Sequence, residues 1–312
     1  DTGRACGILN LAAQRVGGCP RQFALRRAFA FIVATLVPAL LLALGGCATP
    51  RDTAAAIATS ARMEPINLRG APFRHHAWLR EAAPATAREF HALHVYIDHD
   101  GTPWLRRDVV SADPTPRNPL ALRLMAQDDA PSLYLGRPCH FTTGDDACNP
   151  LFWTHHRYGT SVVDSMVRAL RGFLDGRRFD RLVLVGYSGG GTLALLMADR
   201  MPEVASVVTV AGNLDIAGWA ALHGYSPLAG SLDPMLRVRR APPAREFHLV
   251  GGRDENVAAA LAAGYAKRFP DATLIEVADF DHVCCWARDW RALLAGPSLR
   301  GAFGRRIADS TD

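Results

Sequence analysis

A serine, an aspartate and a histidine, each standing where a strand gives way to a loop, are the residues of this chain whose types suit acyl transfer. Ser188 is the centre of Gly186, Tyr187, Ser188, Gly189, Gly190. In such a Gly-x-Ser-x-Gly pattern the serine sits on a strained strand-to-helix turn, and the flanking glycines let neighbouring backbone pass close. The turn lifts Ser188 Oγ out at the carboxyl end of a sheet and aims the free N–H groups of a helix N-terminus at whatever binds there. A serine hydroxyl is a weak nucleophile until a base takes its proton, and the base needs an acid to hold its tautomer. His282, in the segment Asp279 to His282, is the candidate base. Asp254, four residues after Val250 and preceded by Gly251 and Gly252, is the candidate acid. Asp215 is its rival, although it opens a segment where it would serve as a helix N-cap. This chemistry requires neither metal nor organic cofactor.

The elements that must position these residues are legible as alternating patterns. Leu182 to Val185 is an apolar run of the kind a buried strand needs, and Gly190 to Met197 returns to helical composition. Ahead of them, Phe90 to Asp98 reads as a strong strand ending at His99, Asp100, Gly101, and Ser132 to Leu135 as a second buried strand. Met63 to Glu81, broken by Pro65, Gly70 and Pro72, supplies edge strands, of which Phe73 to Leu79 is the better. Asn118 as N-cap and Pro119 at the first helical position open a helix over Leu120 to Gln127. Val162, Val163, Met166, Val167, Leu170 and Leu174 recur at helical spacing, which makes 161–174 the crossover into the Ser188 strand.

Beyond the serine, Val204 to Val210 is the sixth strand and Glu246 to Val250 another. Val257 to Phe269 reads as a helix, Thr273 to Val277 as the last strand and Trp286 to Leu294 as the closing helix. Ala211 to Arg245 is too long for a structureless loop in a compact domain, so it is expected to form a small cap over the carboxyl edge of the sheet. Strands alternating with helices imply a mostly parallel sheet with helices on both faces, and ligands then bind at the carboxyl ends of the strands. Ser188, Asp254 and His282 all fall at such ends.

With 312 residues, 49% hydrophobic and 21% charged, the chain has material for one large core. Its net charge of +5 comes from arginines scattered along the chain, with no basic stripe interleaved with aromatics, which argues against nucleic acid as a partner. The first residues differ in kind. Arg21, Arg26 and Arg27 precede an apolar run from Ala28 to Leu44, followed by Gly45, Gly46 and Cys47, the layout of a secretory signal. Leu-Gly-Gly-Cys resembles the lipobox of bacterial lipoproteins. That resemblance implies lipidation of Cys47, a mature chain beginning there, and a lipid anchor in the cell envelope, with Ala48 compatible with the periplasmic face of the outer membrane. Residues 1–20 have no place in such a signal and read as an overlong gene start. The expected division is a signal over 1–46, a flexible tether over 47–62 and a catalytic domain over 63–312.

An exported chain meets an oxidising compartment, where Cys139 and Cys148, enclosing a polar loop, are expected to pair. Cys284 and Cys285 are adjacent, and the sequence does not choose between thiols, a mutual disulfide and other partners. His91, His94 and His99 invite a metal reading, but on a strand His91 and His94 point to opposite faces, so no metal site is expected. Trp153, His155, His156 and Tyr158 form a polar-aromatic cluster that suits either a pocket rim or surface packing.

The Gly-x-Ser-x-Gly turn and the chain order Ser188, Asp254, His282 resemble the α/β-hydrolase superfamily over roughly residues 70 to 296. The resemblance implies a serine hydrolase in which the N–H groups of Gly189 and Asp100 form the oxyanion hole, although His99 stands where the family more often has glycine. A small ester or amide is the implied substrate. Esters are favoured because the sequence shows no feature that would clamp a peptide terminus. A serine peptidase or amidase of the same fold, and a non-catalytic envelope binding module, are the alternatives.

Overall fold

The computed structural model describes residues 48–81, 92–142 and 145–303. The expected signal and the lipidation site Cys47 lie outside them, as does His91. Among the described residues no helix is long and apolar enough to cross a membrane.

The tether expected over 47–62 is instead largely a helix, α1 (Pro50–Ser60). Thr49 and Asp52 form a reciprocal capping box: the Asp52 N–H donates to Thr49 Oγ1 at 3.2 Å and the Thr49 N–H to Asp52 Oδ2 at 2.9 Å. Pro50 occupies the first turn, where its missing N–H costs nothing. Ala54 and Ala58, one helical repeat apart, are buried against the core. Two alanines make too faint an apolar stripe to stand out in an Ala-rich stretch, but small side chains let the helix lie close.

An antiparallel pair follows, β1 (Glu64–Gly70) and β2 (Phe73–Arg80), then β3 (Ala92–Ile97). A two-stranded ribbon, β4 (Trp104–Arg106) with β5 (Val109–Val110), interrupts the next loop. The helix expected over 120–127 is shorter, α2 (Leu120–Met125). Pro119 takes the cap position without a side-chain bond, and Asn118 Oδ1 accepts from Arg123 Nε at 3.0 Å instead of capping the helix. Then come β6 (Ser132–Leu135), the crossover helix α3 (Thr160–Leu174), β7 (Arg181–Tyr187), α4 (Gly189–Ala198) and β8 (Val204–Val210). The cap contributes α5 (Ile216–Leu222). After it run β9 (Arg245–Gly251), α6 (Ala259–Arg268), β10 (Thr273–Val277), α7 (Trp286–Ala295) and α8 (Pro297–Phe303), the last of these unexpected from sequence.

Eight strands form one sheet in the order β1, β2, β6, β3, β7, β8, β9, β10. The β1–β2 and β2–β6 pairs are antiparallel, and every pairing from β6 to β10 is parallel. Helices α3, α4 and α6 cover one face, whereas α1, α2, α7 and α8 cover the other. Strands buried on both faces carry apolar runs rather than alternation, as β3 and β7 do. All ten residues of α4 are buried, which is why it is apolar all round.

Cys139 and Cys148 are joined, with Cα atoms 5.6 Å apart. Cys284 and Cys285 are joined to each other across a cis peptide bond. Closing the ten-residue loop between Cys139 and Cys148 removes chain entropy from the unfolded state worth about 2.5 to 3 kcal/mol. A Cys139→Ser, Cys148→Ser variant should therefore lose stability of that order in urea titrations. A loss below about 1 kcal/mol would show that the unfolded chain is held together by other means.

Candidate active site

The geometry of the site begins with Ser188, whose φ of 52° and ψ of −120° place a non-glycine residue in the left-handed half of backbone space. Such a conformation costs on the order of 1–3 kcal/mol and persists only where the surroundings over-determine it. Here they do: the Ser188 N–H donates to the Val210 carbonyl at 2.9 Å, and its own carbonyl accepts from Asn213 N–H at 3.1 Å. The turn also needs bare backbone on both sides. A Cβ on Gly186 would stand 2.3 Å from the Gly190 carbonyl oxygen, and one on Gly190 would stand 2.1 Å from that of Ile97. The first and last positions of the motif are thus set by the packing of α4 against β7 and β3.

His282 comes to Ser188 from the loop after β10. Its Nε2 lies 3.1 Å from Ser188 Oγ and its Nδ1 2.8 Å from Asp254 Oδ2. Tyr187, the residue before Ser188, fixes this loop by donating its hydroxyl to the His282 carbonyl at 3.0 Å. Asp254 is 5% exposed. Its Oδ1 accepts the N–H groups of Asn256 at 2.9 Å and Val257 at 2.7 Å, leaving Oδ2 for the histidine. Asp215 points elsewhere: its Oδ1 caps α5 through the Gly218 N–H at 2.7 Å.

The loop after β3 meets the other side of Ser188. The His99 N–H donates to Asp98 Oδ1, the Gly101 N–H to His99 Nδ1, and the Thr102 N–H to the Pro114 carbonyl. Among the described residues neither the Asp100 N–H nor the Gly189 N–H has a protein acceptor. Two unengaged donors flanking a serine can hold a developing oxyanion.

The Asp100 side chain has a second part that sequence reasoning did not anticipate. It takes hydrogen bonds from Arg137 Nη1, from Arg157 Nη1 at 2.8 Å and from the Tyr158 hydroxyl at 2.7 Å. Burial alone would raise its pKa, but the Arg157 and Arg137 guanidiniums outweigh burial and hold the carboxyl well below the usual carboxylate range. The carboxylate packs directly on the Ser188 turn, where a Cβ on Gly189 would stand 2.2 Å from Asp100 Oδ1 and 2.4 Å from the Tyr158 oxygen. The polar-aromatic cluster of the sequence therefore divides. Tyr158 belongs to this network, His155 lines the cleft, and Trp153 is buried, donating its Nε1–H to the Ser111 carbonyl at 3.1 Å. His94 is bonded to Asp128 at 2.6 Å, inside the core.

Ser188 and His282 open into a cleft of about 680 Å³. Its wall includes Trp104 from the ribbon, Tyr187, and Trp219 and Tyr225 from the cap. The cap is held down through Asn256, whose carbonyl meets His223 Nε2 at 2.7 Å. Asn213 also faces the cleft and is 3% exposed, with an amide oxygen that has no partner among the described residues.

No protein-family model and no curated protein matches this sequence. Solved structures do resemble it. An esterase of Pyrococcus furiosus superposes over 83% of this chain and 95% of its own, at 12% identity and a TM-score of 0.55. A Xanthomonas campestris α/β serine hydrolase described as lacking a lid covers 80% and 97%, at 15% identity and 0.51. An acylaminoacyl peptidase of Pyrococcus horikoshii covers 80% of this chain and 43% of its own, at 11% identity and 0.54. At such identities the likeness concerns architecture. With the parallel sheet, its covering helices and the cap after the sixth strand, it establishes that this chain has the α/β-hydrolase fold.

Proposed function

We propose that the chain is a serine hydrolase that cleaves carboxylic esters through an acyl-enzyme. The observation that carries this reading is the unbroken line of hydrogen bonds from Asp254 through His282 to Ser188, beside two N–H groups with no acceptor among the described residues. Ser188 Oγ attacks the substrate carbonyl carbon as His282 Nε2 takes its proton, and the oxyanion falls to the N–H groups of Gly189 and Asp100. His282 then returns the proton to the leaving alcohol oxygen as the carbon–oxygen bond breaks. Water, deprotonated by the same nitrogen, releases the acid. Asp254 stays ionised and keeps the Nδ1 proton in place.

Esters are favoured over aminoacyl substrates because the carboxylate on the cleft wall, Asp100, is already taken by two arginines, so a substrate ammonium group has no partner there. The aromatic wall suits an apolar acyl chain. A fluorophosphonate probe that labels Ser188 supports the enzyme; a folded protein that stays unlabelled would be a binding module. Hydrolysis of an ester panel set against aminoacyl amides separates esterase from peptidase. Gly189→Ala tests the oxyanion hole, because the added methyl drives the Asp100 loop away from the turn. Labelling should slow by about 100- to 1000-fold. A rate within about fivefold of the unsubstituted protein would remove the Gly189 and Asp100 donors from the mechanism.

The anchor belongs to the same proposal. Lipidation at Cys47 would hold the hydrolase in the bacterial cell envelope, on the periplasmic face of the outer membrane. Cys47→Ser should then abolish palmitate incorporation and leave an uncleaved precursor. Palmitate labelling that persists in that variant would place the lipid elsewhere or dismiss it.

A further inference from the structure

The charges around the cleft do not balance. Among the described residues, Arg107 and Arg157 are the cations on its wall, and Asp100 is the sole carboxylate there. Behind it, Arg137 donates to the Arg157 carbonyl at 2.9 Å and, with Arg157, to Asp100. Both guanidiniums are at least 94% shielded from solvent, so two fixed cations share one anion in a medium where charge is poorly screened. The neighbouring His140 ring adds no anion, and burial and Arg137 keep it uncharged. The Tyr158 hydroxyl serves as a donor to Asp100 and stays protonated. Within the cluster two guanidiniums face one carboxylate, an excess of one positive charge, while Asp98 behind the loop takes the His99 N–H and the Tyr134 hydroxyl.

Arg107 adds a second. It is exposed at the turn of the β4–β5 ribbon, and among the described residues its guanidinium has no hydrogen bond or ion pair. The acids near the mouth stand off the cleft wall itself. Asp108 and Glu255 are exposed and do not line the cleft. Asp254, bonded to His282, and Asp281, bonded to the Val283 and Cys284 N–H groups, keep their negative charge at the His282 loop, so the positive charge is local to the wall that Arg107 and Arg157 line.

We propose that this cleft selects esters carrying a negative charge, a carboxylate on the acyl or alcohol portion, with Arg107 pairing directly with that charge and the Arg137, Arg157 and Asp100 cluster supplying a fixed positive potential. The proposal rests on the serine-hydrolase reading and narrows its substrate class. A guanidinium fork suits a carboxylate in two-point contact, and an unneutralised buried guanidinium beside the cleft gains from an incoming anion. An ammonium-bearing substrate meets the opposite field.

Two fluorophosphonates of equal length, one ending in a carboxylate and the other in its methyl ester, test this through the rate at which each labels Ser188. At low ionic strength the charged probe should react about tenfold faster, as expected for a cleft that concentrates one sign of charge. The difference should shrink towards about twofold in 1 M salt, where the screening length is about 3 Å. Arg107→Glu should bring the two probes within about twofold of each other at low salt. Arg69→Glu, which makes the same change in net charge on edge strand β1, should keep the tenfold difference. Equal rates in the unsubstituted protein, a difference that survives Arg107→Glu, or one that vanishes in Arg69→Glu would each overturn the proposal while leaving the hydrolase reading intact. A folded protein that neither probe labels at Ser188 would overturn the hydrolase reading itself.

Discussion

Replacing Ser188 by alanine should lower ester turnover by on the order of a million-fold while the fold survives nearly unchanged. The loss is large because in the proposed mechanism the hydroxyl oxygen is the atom that bonds to substrate, and neither His282 nor the oxyanion donors can stand in for it. The fold is spared for two reasons. The hydroxyl bonds to His282 Nε2, so its removal costs one hydrogen bond, about 1 kcal/mol or less for a half-exposed group. The backbone strain at φ 52° is unaltered, since alanine pays the same penalty as serine in that region. Ester hydrolysis, fluorophosphonate labelling and urea unfolding of the purified variant measure all three quantities. Turnover that survives within about tenfold would mean that another group is the nucleophile, and the whole reading of the site would go with it.

What the sequence revealed of this site follows from how far apart its parts lie along the chain. The Ser188 turn is written in five consecutive residues, so the pattern is local and readable. Asp254 and His282 were within reach because the strands before them are regular enough to mark where the carboxyl edge of the sheet must be. Arg137, Arg157 and Tyr158 were not: they meet Asp100 across 37, 57 and 58 residues, from loops whose course no periodicity fixes. Composition showed scattered arginines; their convergence on one carboxylate is a property of the fold. Trp219 and Tyr225 stood out as aromatics in a long segment, but it is the folded cap, bonded to Asn256 and to the carbonyls of His155 and Tyr158, that sets them on the cleft wall. The misreading of α1 has another origin. Thr49, Pro50 and Asp52 spell a helix start, but Ala54 and Ala58 offer a core face too small to outweigh the appearance of a linker.

The carboxylate of the proposed triad gives the second large effect. Asp254→Asn should reduce turnover by roughly four orders of magnitude, whereas Asp215→Asn should leave it within about twofold. Asp254 Oδ1 accepts two backbone N–H groups, from Asn256 and Val257. In the asparagine variant those donors therefore hold the amide oxygen, and the amide nitrogen must take the place of Oδ2, facing His282. An N–H now meets Nδ1, which can only accept it, so the ring proton moves to Nε2. The nitrogen that should receive the serine proton then already carries one, and the base is lost although every heavy atom stays in place. At Asp215 the demand is different: its oxygen caps α5 through Gly218, and asparagine caps as well as aspartate does. Turnover numbers for both variants, each shown by circular dichroism and thermal melting to be folded, decide between the two carboxylates. If Asp215→Asn proved the more damaging, the acid would have to reach His282 from the end of β8, which would require a loop arrangement other than the one that places Asp254 Oδ2 at 2.8 Å.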